Sequence, residues 1–166
     1  MNLNELIAEY EKFLDQMAEC EWESKELFRG DNRTYEQIKS MKGFFPKANG
    51  KNRPVIRELI YHCTKNGYGG PFISTSRNKN TASGFGKLYR INAGCQVVAQ
   101  SNWERINSYY AQFEQALGNG RDDYAIEVIN GAGFCKRQLH AALQYHQAQD
   151  EVLVINHIPI QAIKEV

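Results

Sequence analysis

The sequence predicts an α+β fold for its 166 residues, and three observations lead to this prediction. Apolar residues recur every three or four positions in the first part of the chain, which is typical of helices. Short β-branched or apolar runs bounded by Gly, Pro or Asn follow later and predict strands. Hydrophobic residues make up 42% of the chain and charged residues 23%, as in folded domains. We therefore expect one domain over residues 1–166, since this length suits a single core.

The N-terminal segment predicts an amphipathic helix over residues 1–27, because apolar residues from Leu3 onward alternate with Glu and Lys at helical spacing. Leu27–Asp31 is expected to form a short strand that runs into a turn. A helix over Thr34–Met41 follows, with Thr34 as its N-cap. Gly43–Pro46 is expected to end this helix, and the polar residues 47–53 then form a loop.

The middle of the chain predicts a helix followed by strands. Pro54 suits the first turn of a helix that continues to about Thr64. Residues 66–71 contain three glycines and a proline, which predicts irregular structure. Residues 72–76 predict a strand and 80–85 a short helix, and the runs that follow predict further strands at 88–91 and 95–99.

The last third of the chain is less uniform. Within residues 102–148, the stretches 103–117 and 136–144 favour helix, whereas 124–129 fits a strand or a helix. The apolar, β-branched run 151–155 predicts a strand, and a final extended segment begins at Ile158.

The cellular location is predicted from two features of the sequence. The N-terminus lacks the basic start and apolar run of a signal peptide, and no window reaches the roughly 18 apolar residues of a membrane helix. The four cysteines, Cys20, Cys63, Cys95 and Cys135, are too far apart for a Cys-x-x-Cys metal site or a dense disulfide framework. We expect a cytoplasmic protein with reduced thiols, no metal and no membrane partner.

Charge is distributed unevenly along the chain. Residues 37–105 contain 12 Lys or Arg against 2 Asp or Glu, although the net charge of the whole chain is only +1. Such a basic block attracts a phosphate-bearing ligand or a nucleic acid by Coulomb attraction and counterion release. It is equally compatible with a solvated surface that the acidic N-terminus balances, and both interpretations remain open.

Three short segments occur in a fixed order: Phe28-Arg29-Gly30-Asp31, then Phe72-Ile73-Ser74-Thr75-Ser76, then Gln149-Asp150-Glu151. With these segments and their flanks the chain resembles the ADP-ribosyltransferases of the cholera-toxin and pertussis-toxin type, whose Arg, Ser-Thr-Ser and Glu elements follow this order. The resemblance covers residues 27–101 and 149–166. It implies an ADP-ribosyltransferase fold, with two packed, mainly antiparallel β-sheets flanked by helices. Residues 102–148 then form a divergent insert that leads to a target-recognition loop.

The resemblance implies NAD+ as co-substrate and Glu151 as the catalytic carboxylate. Cleavage of the bond between nicotinamide and ribose passes through an oxocarbenium-like state, which a carboxylate near the ribose stabilises. An arginine fork suits pyrophosphate or ribose oxygens, and a glycine lets the nicotinamide carboxamide approach the main chain. The family assigns the first serine to orienting the glutamate, whereas the threonine is expected to face away and pack. The implied NAD-binding residues are Arg29, Gly30, Asp31, Ser74, Thr75 and Ser76.

The resemblance also bears on the acceptor of the ADP-ribose. Family members that modify arginine carry a Glu two residues before the catalytic glutamate, but this chain has Gln149. The Gln-x-Glu arrangement is similar to that of family members that modify asparagine or nucleic-acid bases, where an amide hydrogen-bonds a neutral acceptor instead of deprotonating a cation. Tyr145 and His146 occupy the expected target-contacting loop, where Tyr145 either stacks on a base or packs beneath the loop.

The preferred hypothesis is an intracellular toxin that ADP-ribosylates nucleic acid and is held inactive by an antitoxin or immunity protein. A protein side chain other than arginine is the nearest alternative acceptor, and hydrolysis of NAD with water as acceptor is another. An NAD-binding or RNA-binding module without enzymatic activity remains a hypothesis of a different class.

Overall fold

The computed structural model describes residues 2–48, 53–64, 68–92, 94–117, 144, 147 and 150–166. Contacts divide the chain into two compact units, each assembled from three separate stretches. The helical unit comprises Met1–Glu19, Pro54–Tyr68 and Ala99–Tyr145, and the sheet unit comprises Cys20–Arg53, Gly69–Val98 and His146–Val166. A single domain over the whole chain stays a prediction.

The described residues contain five α-helices, one 3₁₀ helix and nine strands. The helices are α1 Leu3–Leu14, α2 Tyr35–Ser40, α3 Ile56–Thr64, α4 Lys79–Ser83 and α5 Ser101–Leu117, and the 3₁₀ helix is Ile160–Ala162. The strands are β1 Cys20–Glu23, β2 Leu27–Asp31, β3 Gly43–Phe44, β4 Ile73–Ser76, β5 Lys87–Ile91, β6 Cys95–Val98, β7 Glu151–Val154, β8 Ile158–Pro159 and β9 Ile163–Glu165. The α+β class, its antiparallel strands and its N-terminal helix are thereby confirmed.

The helical unit contains α1, α3 and α5, and its packing is largely aromatic. α1 begins at Asn2, whose side chain accepts a hydrogen bond from the Glu5 N–H while the Glu5 carboxylate accepts one from the Asn2 N–H. This reciprocal capping satisfies two N–H groups at the first turn. Tyr10 and Phe13 of α1 are buried and contact Tyr109 of α5, with ring centroids 5.3 and 4.6 Å apart respectively. Packing of one apolar helix face therefore holds this unit together.

The N-terminal helix is shorter than its periodicity predicts. α1 ends at Leu14, with Asp15 as its C-cap, and β1 begins at Cys20. The prediction of helix through residue 27 is therefore wrong beyond Leu14. Met17 and Trp22, which the helical pattern assigned to the apolar face, are 58% and 66% exposed. Strand pairing with β6 takes Trp22 into the sheet, and Met17 forms an isolated bridge with Val55; such tertiary pairing outweighs a local helical preference.

Most other predicted elements that lie in the described residues are confirmed, with ends shifted by a few residues, but the 3₁₀ helix Ile160–Ala162 interrupts the extended segment predicted from Ile158. Thr34 caps α2 as expected, through a capping box with Gln37. Gly43–Phe44 was expected only to end this helix, but these residues form β3 and pair with β8. Gly43 suits this position because its φ is +127° and an added Cβ would lie 2.0 Å from the Ile158 carbonyl oxygen. The ambiguous stretches 124–129 and 136–143 lie outside the described residues.

The seven-stranded sheet has the order β1-β6-β7-β4-β2-β5-β9, and every pairing in it is antiparallel. Three strands separate β1 from β2, although only residues 24–26 connect them. Four flat strand spacings would measure roughly 19 Å, whereas four residue steps reach about 14 Å at most. The sheet must therefore curl. The curl lies at the two places where strands share a single residue pair. Val97 and Val154 join β6 to β7, and Phe28 and Ser76 join β2 to β4.

The core of the sheet unit lies on one face of β2, β4, β5 and β7. Its buried side chains share the alternate positions of these strands and include Leu27, Ile73, Tyr89, Val152 and Val154. The small β3–β8 sheet contributes Phe44 and Ile158 to the same cluster. Because side chains alternate along a strand, the residues between these positions face the opposite side of the sheet.

Three further findings apply to the described residues only. No helix among them is long and apolar enough to cross a membrane. None of their His, Cys, Asp and Glu side chains form a group of three that could hold a metal ion. Cys20, Cys63 and Cys95 form no disulfide bonds with one another.

Candidate functional site

Glu151 opens β7, where it follows the turn residue Asp150 and precedes three buried apolar residues. The Ser74 hydroxyl of β4 donates a hydrogen bond of 2.6 Å to Glu151 Oε2. These two residues are 77 positions apart in sequence, and both are partly exposed. The serine therefore holds the glutamate in one orientation at the surface of the sheet.

The backbone immediately before Glu151 is also fixed. Asp150 has a φ of +50°, in the left-handed region that non-glycine residues seldom adopt. Its carbonyl accepts a hydrogen bond of 3.2 Å from the Arg77 N–H at the end of β4, and its N–H donates to the Gln147 carbonyl at 3.1 Å. This turn directs the chain into β7 and ties its first residue to the end of β4.

The register of the sheet shows which candidate residues share a face. Phe28 of β2 pairs with Ser76 of β4, and Ser76 pairs with Glu151 of β7. Directly paired residues in antiparallel strands point to the same side, so these three side chains form a row across three strands. Ser74 and Gly30 lie two positions along their strands and share that side. The structure thus brings Gly30, Ser74, Ser76 and Glu151 onto one face, opposite the core.

α4 covers part of this face, which explains Gly30 in local terms. A Cβ added at Gly30 would lie 2.0 Å from the Ala82 carbonyl oxygen and 2.9 Å from Phe85 Cβ. Any side chain here would therefore displace the helix from the strand. The Phe85 ring beside it is 55% exposed. The sequence analysis did not single out Phe85, although its position in Gly84-Phe85-Gly86, just after a short helix, was a usable signal.

Arg29 points to the core face, away from Glu151. Its Nη1 donates a 2.7 Å hydrogen bond to the Ser74 carbonyl, and its Nε donates to Asp31 Oδ2 at 3.3 Å. The guanidinium carbon lies 5.1 Å from the centre of the Phe44 ring. Burial lowers the pKa of Arg29, while the charge of Asp31 counteracts this effect. Arg29 thus supports the strand that carries Ser74, and a direct contact between Arg29 and NAD stays a prediction.

Asp31 joins Arg29 to a second arginine. Arg33 Nε and Nη2 donate to the two oxygens of Asp31 at 2.8 and 2.7 Å, and the Arg33 N–H donates to Oδ1 at 3.0 Å. Burial alone would raise the pKa of Asp31, but the hydrogen bonds from Arg33 and the charges of both arginines lower it to about 2. Tyr89 completes the array, since its hydroxyl donates to the Arg33 carbonyl at 2.6 Å. Asp31 is therefore an ionised bridge inside the fold.

The other two residues of the Ser-Thr-Ser segment make internal hydrogen bonds. Thr75 is 4% exposed and its hydroxyl donates to the Val152 carbonyl at 2.7 Å, so it faces the core as expected. Ser76 is 5% exposed, and its Oγ accepts a 3.0 Å hydrogen bond from the Asn78 N–H at the start of α4. Both serve the fold in this structure, and their contact with NAD stays a prediction.

Three candidate residues from the sequence lie outside the described residues: Gln149, Tyr145 and His146. Their roles in catalysis and target recognition stay predictions.

Comparison with known proteins finds no matching family model and no matching curated protein. Among solved structures, the chain is similar to one described as a guanine-specific ADP-ribosyltransferase, with 14% sequence identity and a TM-score of 0.47 over 88% of this chain and 67% of that one. It is also similar to a variant of the scabin toxin from Streptomyces scabies, with 18% identity and a TM-score of 0.45 over 88% of this chain and 68% of that one. Similarity at these values does not establish a family, so the function proposed below rests on the residues of this chain.

Proposed function

We propose that this protein is an NAD-dependent mono-ADP-ribosyltransferase that transfers ADP-ribose to a base of nucleic acid and releases nicotinamide. The observation that carries the proposal is the 2.6 Å hydrogen bond from Ser74 to Glu151. It joins two of the three segments on which the resemblance rests. The third segment contributes Gly30 to the same face through the pairing of β2 with β4.

The chemistry assigns a separate task to each of these residues. The Glu151 carboxylate holds the 2′-hydroxyl of the nicotinamide ribose and stabilises the positive charge that develops as the glycosidic bond breaks. The electron pair of that bond leaves with nicotinamide, and the acceptor nitrogen donates a pair to the same carbon and then loses a proton to solvent. Ser74 keeps the carboxylate oriented throughout, because reorientation during the reaction would cost free energy.

The exposed Phe85 ring gives the leaving group a surface to stack on. It lies beside Gly30, where the main chain comes close to the open face. A planar pyridine ring stacks on an aromatic side chain with a gain of about 1 kcal/mol beyond burial. Nicotinamide stacked on the exposed Phe85 ring would lie beside α4, which packs directly against Gly30.

Nucleic acid is the proposed acceptor on three grounds from the sequence. Gln149 offers an amide in place of a second carboxylate, residues 37–105 are strongly basic, and Tyr145 is available for stacking. A role as an intracellular toxin with a protein antitoxin belongs to the same proposal. A protein side chain other than arginine is the second candidate acceptor.

The test follows both products of the reaction. The full chain is incubated with NAD labelled in its adenylate phosphate, together with nucleic acid and protein from a lysate, and nicotinamide release is measured in parallel. We expect a label that nuclease removes and protease does not. Glu151→Gln should lower nicotinamide release about a hundred-fold or more, whereas Glu165→Gln, an exposed carboxylate on β9, should leave it unchanged.

Each other outcome contradicts a defined part of the proposal. Undiminished activity of Glu151→Gln would refute the site. A label that resists nuclease and disappears with protease would assign a protein acceptor. Nicotinamide release without any macromolecular label would indicate an NAD glycohydrolase, and stoichiometric NAD binding without release would indicate a binding module.

A further inference from the structure

A second feature of the sheet unit lies beside the candidate site. A cleft of about 520 Å³ is lined by residues 22–26, Phe28 and Arg77, and is called the Trp22 cleft below. Its volume is within the range of small-ligand sites. The short connection from β1 to β2 forms one wall, and Arg77, which follows β4, forms another.

The cleft adjoins Glu151 through two links. Phe28, which lines it, belongs to the row Phe28–Ser76–Glu151, so its side chain is two strand spacings, or about 10 Å, from the glutamate. Arg77, which also lines it, donates its N–H to the Asp150 carbonyl at 3.2 Å. The cleft therefore begins about two strand spacings from Glu151, on the same face of the sheet.

Trp22 gives the cleft a large, oriented aromatic surface. Its side chain is 66% exposed, which is unusual for the largest apolar residue. The indole is nonetheless held in place, because it lies so close to Gly94 that an added Cβ there would be 2.5 Å from Cζ2 and 2.7 Å from Nε1. The ring packs on one glycine and leaves most of its surface open, which suits stacking with a planar ligand.

The two glutamates that line the cleft, Glu23 and Glu26, each pair with an arginine. Arg77 Nη1 and Nη2 donate to the two carboxylate oxygens of Glu23 at 2.7 and 3.0 Å. The hydrogen bond from Arg77 lowers the pKa of Glu23, so this carboxylate stays ionised. Arg90, whose guanidinium lies 6.0 Å from the Phe28 ring, is paired with Glu26 at 3.3 Å. The aromatic surface, more than an excess of positive charge, is therefore what the cleft offers a ligand.

The cleft and Gly30 lie on opposite sides of the Glu151 row along the strand direction. Gly30 follows Phe28 by two residues on β2, and Ser74 precedes Ser76 by two residues on β4. The cleft lies beyond Ser76 in the other direction, at Arg77. If nicotinamide leaves on the Gly30 side, the cleft lies on the side from which a nucleophile attacks the same carbon.

We propose that the Trp22 cleft is the acceptor site and binds a nucleic-acid base by stacking on the Trp22 indole. This proposal rests on the function proposed above. In the transfer step, an amine nitrogen of the stacked base forms a bond to the ribose carbon while the bond to nicotinamide breaks with its electrons. Nicotinamide leaves as a neutral molecule, and the proton of the amine passes to solvent.

Direct binding provides the first test and does not depend on turnover. The chain has two tryptophans, so Trp103→Phe leaves Trp22 as the single tryptophan, whose fluorescence is excited selectively over that of tyrosine. Titration of the Glu151→Gln/Trp103→Phe protein with a short single-stranded oligonucleotide should quench its fluorescence. Trp22→Ala in the Glu151→Gln protein should weaken binding roughly ten-fold or more, measured by anisotropy of a labelled oligonucleotide. Unchanged Trp22 fluorescence at saturating oligonucleotide would overturn the proposal.

Two variants separate stacking from folding. Gly94→Ala keeps Trp22 but forces the indole to move, so it should weaken oligonucleotide binding as Trp22→Ala does. Phe45→Ala removes another exposed aromatic side chain of the sheet unit, 47% exposed and outside the cleft, and serves as the matched control. Equal affinity of all three variants would contradict the acceptor assignment.

Kinetics then separate this proposal from the proposed function. Trp22→Ala should raise the KM for nucleic acid, whereas the control Phe45→Ala should leave it unchanged. A higher KM for NAD in the reaction without nucleic acid would instead assign the cleft to the adenine of NAD and overturn the acceptor site. If the wild-type protein released no nicotinamide, the proposed function would be refuted. The binding titration would still show whether the Trp22 cleft binds nucleic acid.

Discussion

The ionised bridge at Asp31 leads to a pH-dependent stability that Asp31→Asn should remove. The carboxylate is 8% exposed and accepts hydrogen bonds from both Arg29 and Arg33. Its pKa is lowered from 3.8 to about 2 in the folded state. A carboxyl with a lower pKa in the folded than in the unfolded state binds protons more weakly when folded. Its ionised form therefore stabilises the protein at pH values above the unfolded pKa.

The size of the effect follows from the shift. A difference of nearly two pKa units corresponds to about 2 kcal/mol of unfolding free energy, at roughly 1.4 kcal/mol per unit. This stabilisation is fully present above about pH 5 and is lost as the pH falls from near 4 toward 2. Asparagine resembles the protonated acid in shape and has no charge to lose. The wild-type and Asp31→Asn proteins should therefore differ most at neutral pH and converge in acid.

Urea unfolding at several pH values between 7 and 2.5 measures this difference. The difference in unfolding free energy between the two proteins should shrink by most of that 2 kcal/mol across the interval. Asp15→Asn is the matched control, because Asp15 is 72% exposed and its pair with Arg57 spans 3.3 Å. Exposed pairs contribute little, so this control should follow the wild type at every pH. A constant difference between wild type and Asp31→Asn at all pH values would refute the reasoning.

Further variants test the remaining contacts. Ser74→Ala should lower kcat roughly ten- to a hundred-fold in nicotinamide release, because Glu151 loses a charge-assisted hydrogen bond, and Ser74→Thr should restore most of it; equal rates for all three would contradict the orienting role. Gly30→Ala should destabilise the protein by about 1–3 kcal/mol in urea unfolding, because its Cβ would lie 2.0 Å from the Ala82 carbonyl oxygen. Gly69→Ala is the control and should destabilise the protein less, because its Cβ would lie at an ordinary 3.4 Å from Lys47. Lysine lacks the planar guanidinium whose Nε and Nη1 reach Asp31 and the Ser74 carbonyl, so Arg29→Lys should lower kcat with little change in the KM for NAD; the reverse pattern would mean that Arg29 binds NAD directly.

The sequence predicted most elements of the sheet unit because their signals are local. Thr34 precedes Gln37 at capping-box spacing, and the structure uses both side chains in that way. β2, β4 and β7 are short apolar or β-branched runs bounded by turn residues, and they form strands as predicted. Local chemistry determines the start of a helix or the length of a strand, so a single sequence suffices there.

The N-terminal region shows where such local reasoning fails. Residues 15–27 continue the helical spacing of α1, yet they contain β1, which pairs with β6 more than seventy residues later. Nothing in the spacing distinguishes Trp22 on a helix face from Trp22 exposed on an edge strand. Pairing with β6 determines that this segment is a strand, and the position of β6 depends on the curl of the whole sheet. For the same reason, the Trp22 cleft has no signature in the sequence.

The candidate site depends on alternation within a single strand, which motif order alone could not reveal. Arg29 and Gly30 are neighbours in the sequence, but β2 directs one to the core and the other to the open face. The motif therefore combines two functions: Arg29 donates a hydrogen bond to the main chain of β4, and Gly30 lets α4 pack directly against the other face of β2. A register shift of one residue would exchange these faces and place a buried charge where the glycine is needed. Because Ser74 uses its carbonyl for Arg29 and its hydroxyl for Glu151, any change that loosens Arg29 should reach the glutamate through that one residue.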